Sequence, residues 1–562
     1  SHLTQATGGR RCYGPRPSAG HTGPAHSIDP ETGTNTMGDP SIADIIRRQA
    51  RTRGDDTAFV TPTRRWTFSE VDAASNRIAQ GLAALGIVAG DRVACLTKHH
   101  AECALLLLAA CKLGAVCMPV NWRLAPPEVE YIVDHGQAKF MMVDAAFVPT
   151  LARTTLPGLR RTVATDAAEG LASLADWSAG FDAVDPGHVS EPDATTLQLY
   201  SSGTTGLPKG VEITNRSLFA AIDMYRPMIG FDAPGAVMLN VLPTFHVAGM
   251  CNIVMPLAAG RPTVYYPDFD PARAIAAIGE HRITHSFLVP AMILFMLQSP
   301  AAKTGDFSSL RVIAYGGSPI ADTVLIDAAA TFRCGLFQVY GMTEAPLLTR
   351  LVPADHDPGG PRSHLLRSAG TPSPGVELRI VRQGSDPQAP EDLPEGEVGE
   401  IWVRTLQNLK CYWRNPEATA AVFPLGRQDG KGWLRTGDAG YLRDGYLYIH
   451  DRIKDMVISG GENIYPAEVE NVLARHPAVA ECAIIGVPDE RWGEAVKACV
   501  VLKPGASATG HEIIAFMRDN LAHFKCPKSV DFCDVLPRNP SGKLLKRVLR
   551  EPYWQGRDRA VG

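Results

Sequence analysis

The sequence has no Cys-x-x-Cys pair, although it holds 12 cysteines in 562 residues. Thiols scattered in this way, several inside apolar runs (Cys103, Cys111, Cys117 and Cys499), argue against a zinc ribbon or a disulfide scaffold. They point to buried, reduced side chains in a cytoplasmic protein. A basic excess is also lacking. The net charge is -4, so no dominating positive field exists to neutralise phosphates, and nucleic acid is not an expected partner. No apolar run is clean enough to cross a bilayer, since the longest, around Ala101 to Val120, is cut by Glu102 and Lys112. No short-period repeat is evident, which argues against a solenoid. Residues 1–36 lack apolar periodicity and are rich in Gly, Pro, Ser and Thr, so a disordered leader is expected there; no apolar segment follows Arg10 and Arg11 to make an export signal. The chain as a whole has an ordinary globular composition, 45% hydrophobic and 20% charged, and its length predicts two or more domains.

The densest cluster of small and hydroxylic residues is YSSGTTGLPKG, Tyr200 to Gly210. Its glycines (Gly203, Gly206, Gly210) let the backbone approach an anion. Ser201, Ser202, Thr204 and Thr205 supply hydroxyls, Thr343 is a further candidate elsewhere, and Lys209 supplies charge. This makes a phosphate cradle of a different kind from the kinase P-loop, because Lys209 is followed by Gly210 and the alternating run Val211 to Thr214 rather than by a helix. The stretch is therefore expected to turn between two strands, TLQLY before it and VEIT after it; a plain surface hairpin is the competing reading.

Thr67 to Glu70 has the form of a capping box, and Val71, Ala74, Ile78, Leu82 and Leu85 recur at helical spacing up to Gly86. Strands are expected at Arg92–Leu96, Ala115–Val120 and Lys139–Val143, with helices at Glu102–Leu113 and from Pro127. The rhythm resumes with a helix from Asn215, a strand at Val237–Leu242, a helix near Ala272–His281, and strands at His285–Val289 and Arg311–Tyr315. Such alternation predicts an α/β fold with two doubly wound sheets in a large N-terminal domain. From about Val376 short alternating strands (VELRIV, EIWVR, YLYIH) predict an antiparallel β subdomain. Past Asp451–Asp455, a helix (Pro466–Arg475), strands (Cys482–Val487, Val496–Leu502), a helix (His511–Leu521) and a strand (Ser529–Phe532) predict a small C-terminal α+β domain. It ends in the turn RNPSGK, which presents Lys543.

These stretches together resemble the adenylate-forming superfamily of acyl-CoA synthetases, peptide-synthetase adenylation domains and firefly luciferase, and are most similar to bacterial fatty-acyl-CoA ligases. The resemblance runs from about Ser41 to Tyr553. It rests on YSSGTTGLPKG, PTFHVAG (Pro243 to Gly249), YGMTE (Tyr340 to Glu344), RTGD (Arg435 to Asp438), DRIKDMVISGGENIYPAEVE (Asp451 to Glu470) and NPSGK (Asn539 to Lys543), in that order. It implies ATP, Mg2+ and coenzyme A as co-substrates and cofactor. It also implies a large domain over 37–451, a hinge at 452–454 centred on Lys454, and a small mobile domain over 455–562. Lys543, Glu344 and Thr204 are implied as catalytic, Thr204 and Glu344 as metal ligands. Gly316, Gly317, Ser318, Tyr340, Gly341, Asp438 and Arg452 are implied for adenine and ribose, and Gly460, Gly461 and Glu462 for the coenzyme A tunnel. His246, Val247, Met250 and Met342 are implied for the acyl pocket. Ser318 stands where the family more often has alanine.

The chemistry accounts for these residue types. A carboxylate brought against the α-phosphate of ATP is repelled wherever water is excluded, so positive charge must be supplied, and Lys543 on its glycine loop can supply it. A hard cation bridging phosphates wants oxygen ligands such as Glu344. The acyl-pocket stretches contain Val247, Met250, Ile253, Met255, Ile320, Met342 and Leu347 and no Arg or Lys, so an apolar monocarboxylic acid is expected, a medium or long fatty acid first and an aromatic, alicyclic or steroid acid second. His246 lies between Phe245 and Val247, and a packed core histidine is the competing reading. Other readings are a luciferase-like oxygenase, an acyl-AMP ligase loading a carrier protein, and a non-catalytic acyl-binding protein. Peripheral membrane contact by the mildly basic tail is open, as is oligomeric state.

Overall fold

Strands buried on both faces are apolar at most positions, and the inner strands of the first sheet are built that way, with Arg92 and Lys139 as charged exceptions paired to Glu212 and Asp91. Arg92–Leu96 and Val116–Pro119 are buried along their whole length, with Ala138–Val143 nearly so. In a computed structural model of the chain, which describes residues 41–98, 100–201, 207–318, 320–428, 430–452, 455–459, 462–538 and 544–555, these strands belong to a seven-stranded sheet. Its order is Cys411–Tyr412, Lys209–Thr214, Thr195–Ser201, Val116–Pro119, Arg92–Leu96, Ala138–Val143, Arg161–Ala164. The last five are parallel. Thr195–Ser201 and Lys209–Thr214 are an antiparallel pair whose register ends at Ser201 opposite Lys209, so YSSGTTGLPKG does join two strands.

A nine-stranded sheet lies alongside in the same unit, residues 40–562. Its central strands, Met238–Asn240, Thr263–Tyr265, His285–Leu288, Val312–Gly316 and Gly335–Met342, are parallel, and Gly335–Met342 turns back antiparallel into Ala345–Leu351. Glu377–Val381, Gly399–Arg404, Lys431–Arg443 and Tyr446–Arg452 form the expected antiparallel sheet. A fourth sheet, Glu462–Ile464, Val457–Ser459, Gly493–Leu502, Val479–Asp489 and Ser529–Phe532, has a separate core around Val457, Leu473, Ile484 and Met517. There the two long strands exceed the expected ones. They form one continuous hairpin from Val479 opposite Leu502 to Asp489 opposite Gly493, where a positive φ of 78° suits glycine.

The Thr67–Glu70 capping box is present: Glu70 N–H donates to Thr67 Oγ1 at 3.2 Å and Thr67 N–H to Glu70 Oε2 at 2.9 Å. It opens the helix Phe68–Ala84. The helix Ala101–Lys112, which supplied the longest apolar run, is buried nearly all round. Its terminal Lys112 is fully buried, and the ammonium donates to Asp72 O and Oδ1, Ser75 Oγ and Asn76 Oδ1 at 2.5–3.1 Å. Four acceptors offset the desolvation of one cation. No helix among the described residues is long and apolar enough to cross a membrane. Every described cysteine is a free thiol, and Cys103, Cys111, Cys117 and Cys499 are buried as expected.

Candidate active site

The turn between Gly335–Met342 and Ala345–Leu351 carries Thr343 and Glu344. Tightness at this turn explains Gly341, where an added Cβ would meet Pro346 O at 2.1 Å. Glu344 is buried, unlike an ordinary turn acid. Its Oε1 accepts from Tyr412 OH at 2.9 Å and from Ser201 Oγ at 3.3 Å. The last described residue before the phosphate loop thus touches a carboxylate 143 positions away. Lys209, the first residue of the strand leaving that loop, holds its ammonium 5.1 Å from the centroid of the Tyr412 ring.

Tyr340 and Asp438, expected at adenine and ribose, are joined: the Tyr340 hydroxyl donates to Asp438 Oδ2 at 2.7 Å. Asp438 is buried and lies opposite Arg452 in the register of the antiparallel sheet. Gly316 ends its strand where a Cβ would meet Val339 O at 2.3 Å, so the close approach there is strand against strand. Gly317 takes φ +85° and turns the chain into Ser318.

Gly316, Gly317, Gly341, Met342 and Thr343 from these segments line a cavity of 460 Å³, together with His246 and Val247. Val247, Ala248, Cys251, Asn252 and Met255 form one face of the helix Val247–Ala259 toward it. Two expectations are corrected here. Met250 and Ile253 are fully buried in the core and do not line the cavity, because at 100° per residue they fall on the opposite side of that helix. Ile320 is half-buried, packed against the core of the nine-stranded sheet, and is not in the wall either. A basic residue does reach the wall, from outside the stretches read for it: Arg123, after the strand Val116–Pro119, with its guanidinium 4.3 Å over the Trp122 ring. Asp268, also in the wall, is its electrostatic counterweight and pairs with Lys98 at 2.8 Å.

The rest of the wall is apolar and aromatic, with Tyr225, Phe269, Phe287, Met292 and Phe295 prominent. Two polar atoms in wall residues have no partner among the described residues, His246 Nε2 and Asn252 Nδ2. Burial, then the charge of Arg123, pushes the His246 imidazole down to about 4, so it is neutral near pH 7.

Sequence reasoning missed Tyr412, Trp122, Arg123, Tyr225, Cys251 and Asn252. A helical count from His246 would have found the last two; the others come into the site by packing between distant segments. Ser202, Gly203, Thr204, Thr205, Gly206, Lys454, Gly460, Gly461 and Lys543, the side chains of Arg452 and Glu462, and the leader lie outside what the structure describes. Among the described residues no group of three or more His, Cys, Asp or Glu could hold a metal ion. A carboxylate such as Glu344 is nevertheless the kind of ligand Mg2+ takes singly, with phosphates and water completing its shell.

Two family profiles match the chain: AMP-binding enzyme over residues 46–413 and AMP-binding enzyme C-terminal domain over 468–543. The chain is 40% identical over 511 residues to a fatty acid–[acyl-carrier-protein] ligase, ScoC, of Streptomyces coeruleorubidus, covering 90% of this chain and 95% of that protein. It is 36% identical over 520 residues to the long-chain-fatty-acid–CoA ligase FadD13 of Mycobacterium tuberculosis, covering 91% and 98%. Among solved structures, ATP-bound MatB from Rhodopseudomonas palustris superposes with a TM-score of 0.80 at 31% identity, covering 91% of this chain and 99% of that one.

Proposed function

Because the chain belongs to the AMP-binding enzyme family, we propose that it is an ATP-dependent acid–thiol ligase that activates an apolar monocarboxylic acid, a medium or long fatty acid by preference. The carboxylate attacks the α-phosphorus of ATP, the bond to the β-phosphate oxygen breaks, and acyl-AMP and pyrophosphate result. The thiolate of coenzyme A then attacks the acyl carbon, forming the thioester and releasing AMP. The observation that carries this reading is that the phosphate-loop strand touches the buried Glu344 through Ser201 and Tyr340 is bonded to Asp438, while the strand and turn that carry Tyr340 and Glu344 put Gly341, Met342 and Thr343 into the wall of an apolar cavity.

In this reading the phosphate loop and Lys209 bind the polyphosphate. Tyr340 and Asp438, fixed to each other, orient adenine and ribose. The oxygens of Glu344 and Thr204 suit Mg2+, which when bound would neutralise phosphate charge. His246, neutral and beside the carboxylate's path, can donate a hydrogen bond without adding an ion pair that would hold the acid back. Lys543 supplies charge for the first step only, and rotation of residues 455–562 about Lys454 exchanges it for the Gly460–Glu462 face that receives coenzyme A. The aromatic and thioether wall supports the acid's apolar body.

A second reading keeps the adenylation and replaces coenzyme A with a carrier-protein thiol. The carrier-protein ligase activity for which the Streptomyces relative is named favours it. Pyrophosphate release across a panel of fatty, aromatic and dicarboxylic acids, with coenzyme A or a phosphopantetheinylated carrier protein as acceptor, tests both. Sustained turnover with a fatty acid and coenzyme A is expected; turnover only with the carrier protein would transfer the conclusion to the second reading.

A further inference from the structure

Tyr412 belongs to no motif read from the sequence, yet it connects the two that carry opposite charge. It sits on the two-residue strand Cys411–Tyr412, paired antiparallel with Val211–Glu212 on the strand that leaves the phosphate loop. Lys410 N–H to Glu212 O at 2.8 Å and Trp413 N–H to Gly210 O at 2.7 Å extend that attachment on both sides. On the other flank Leu409 N–H donates to Glu344 O at 2.7 Å. Residues 409–413 therefore tie the phosphate-loop strand to the Glu344 turn through backbone alone.

The Tyr412 side chain repeats the connection. It is 6% exposed; its hydroxyl donates to Glu344 Oε1 at 2.9 Å and its ring faces the Lys209 ammonium at 5.1 Å. Among the described residues Lys209 and Glu344 do not pair with each other, and each meets the tyrosine instead. A direct ion pair would satisfy both charges in the empty site and would have to be broken before phosphate and cation could enter. A phenol between them gives the carboxylate a neutral donor and the ammonium a π-face, interactions that hold both in place without neutralising either. Both hydrogen bonds from described residues fall on Oε1, which leaves Oε2 as the oxygen for a cation.

We propose that Tyr412 is a positioning residue for adenylation, holding Glu344 open for the metal–nucleotide complex and Lys209 open for its phosphates. The proposal rests on the assignment of Glu344 to the metal made above. Its test uses the full chain and three variants, Tyr412→Phe, Tyr412→Leu and Glu344→Gln, with thermal melts as the check on folding. Mg·ATP binding is read by calorimetry, and adenylation is read as KM for ATP, kcat and Mg2+ dependence.

Removing the hydroxyl in Tyr412→Phe should raise the Mg2+ concentration needed by about tenfold, the scale of a lost hydrogen bond to a charged group, while KM for ATP at saturating Mg2+ stays near that of the unchanged protein. Tyr412→Leu should add a further increase of about threefold in KM for ATP through Lys209, restored in the Phe variant because the ring is back. A Tyr412→Phe protein with unchanged Mg·ATP binding, alongside an impaired Glu344→Gln, would overturn the role of Tyr412 alone. Unchanged Mg2+ dependence in both would overturn the Glu344 assignment beneath it. Loss confined to the melt, with binding and KM unmoved, would make Tyr412 a packing residue and also overturn the proposal.

Discussion

The phosphate end of the site, around the strands that enter and leave the phosphate loop, and the acyl end, which is the cavity, are built differently. At the phosphate end polar groups are paired in depth: Arg92 donates to Glu212 at 2.7 Å and to Gln198 at 2.9 Å, the Trp413 ring covers its guanidinium at 3.4 Å, and Cys411 Sγ donates to the other oxygen of Glu212 at 3.0 Å. His135 Nδ1 and Tyr200 OH meet at 2.8 Å just before the loop. At the acyl end the wall is apolar and two buried polar atoms have no partner among the described residues. The difference follows from what each end handles. A triphosphate is the same in every turnover, so its donors can be held rigidly by second partners. An acyl body is bound mainly by area, which needs shape rather than fixed donors.

The largest expected effect breaks the polar end. Arg92→Ala should cost about 3–5 kcal/mol in urea unfolding, because it leaves Glu212 buried without its cation; a loss under 1 kcal/mol would show that the network is incidental to stability. Lys543→Ala should lower pyrophosphate release by roughly 10²–10³ while sparing thioester formation from supplied acyl-adenylate, and Lys454→Pro should do the reverse. Equal loss in both half-reactions would contradict the exchange of faces.

At the acyl end the effects should be smaller and should fall on selectivity. Cys251→Trp fills the cavity wall and should depress long-chain acids about tenfold or more relative to short ones. Arg123→Leu should remove any residual activity on dicarboxylic acids and leave monocarboxylic acids nearly unchanged, measured as a ratio of kcat/KM values. Asn252→Leu removes a buried donor that has no partner among the described residues, so its melting temperature should hold or rise; a clear fall would reveal an interaction of Asn252 that matters to the fold.

A separate effect falls on pH dependence. Burial lowers His246 to about 4, with Arg123 adding to it, and lowers His285 to about 4 against its bond to Ile229 O. Their unfolded forms therefore take up protons first, and stability should be lost as pH falls from about 6.5 toward 4. Burial also pulls on His100, but the Asp144 carboxylate at 3.2 Å prevails and raises it to about 9. That contribution is complete below about 6.5 and disappears as pH rises through 9. Melting temperatures against pH for His100→Gln should lose the alkaline decline and keep the acid one.

The same contrast governs what was legible in the sequence. The strand pair and turn at the phosphate end could be read because their residues come in short contiguous runs whose pattern is apparent locally. Even Tyr340 and Asp438, 98 positions apart and hydrogen-bonded in the fold, each stand in such a run. The wound sheets were legible for a related reason, since strands like Arg92–Leu96 and helices like Phe68–Ala84 are written in local periodicity. Tyr412 was not, because its importance comes from a two-residue cross-strand pairing with a segment 200 positions earlier. The acyl wall was read only in part. Met250 looked like a pocket residue because it lies in the right stretch, and only the phase of the helix Val247–Ala259 turns it away. Arg123 was missed for the opposite reason, arriving from a loop at the end of another sheet.

The central claim is that this protein makes an acyl-adenylate, and acid-dependent exchange of labelled pyrophosphate into ATP, with no thiol present, tests it most directly. The account predicts rapid exchange with a medium or long fatty acid and Mg2+, none without acid, and near-complete loss in Lys543→Ala. Thioester formation with no exchange under any acid, or exchange untouched by Lys543→Ala, would contradict it.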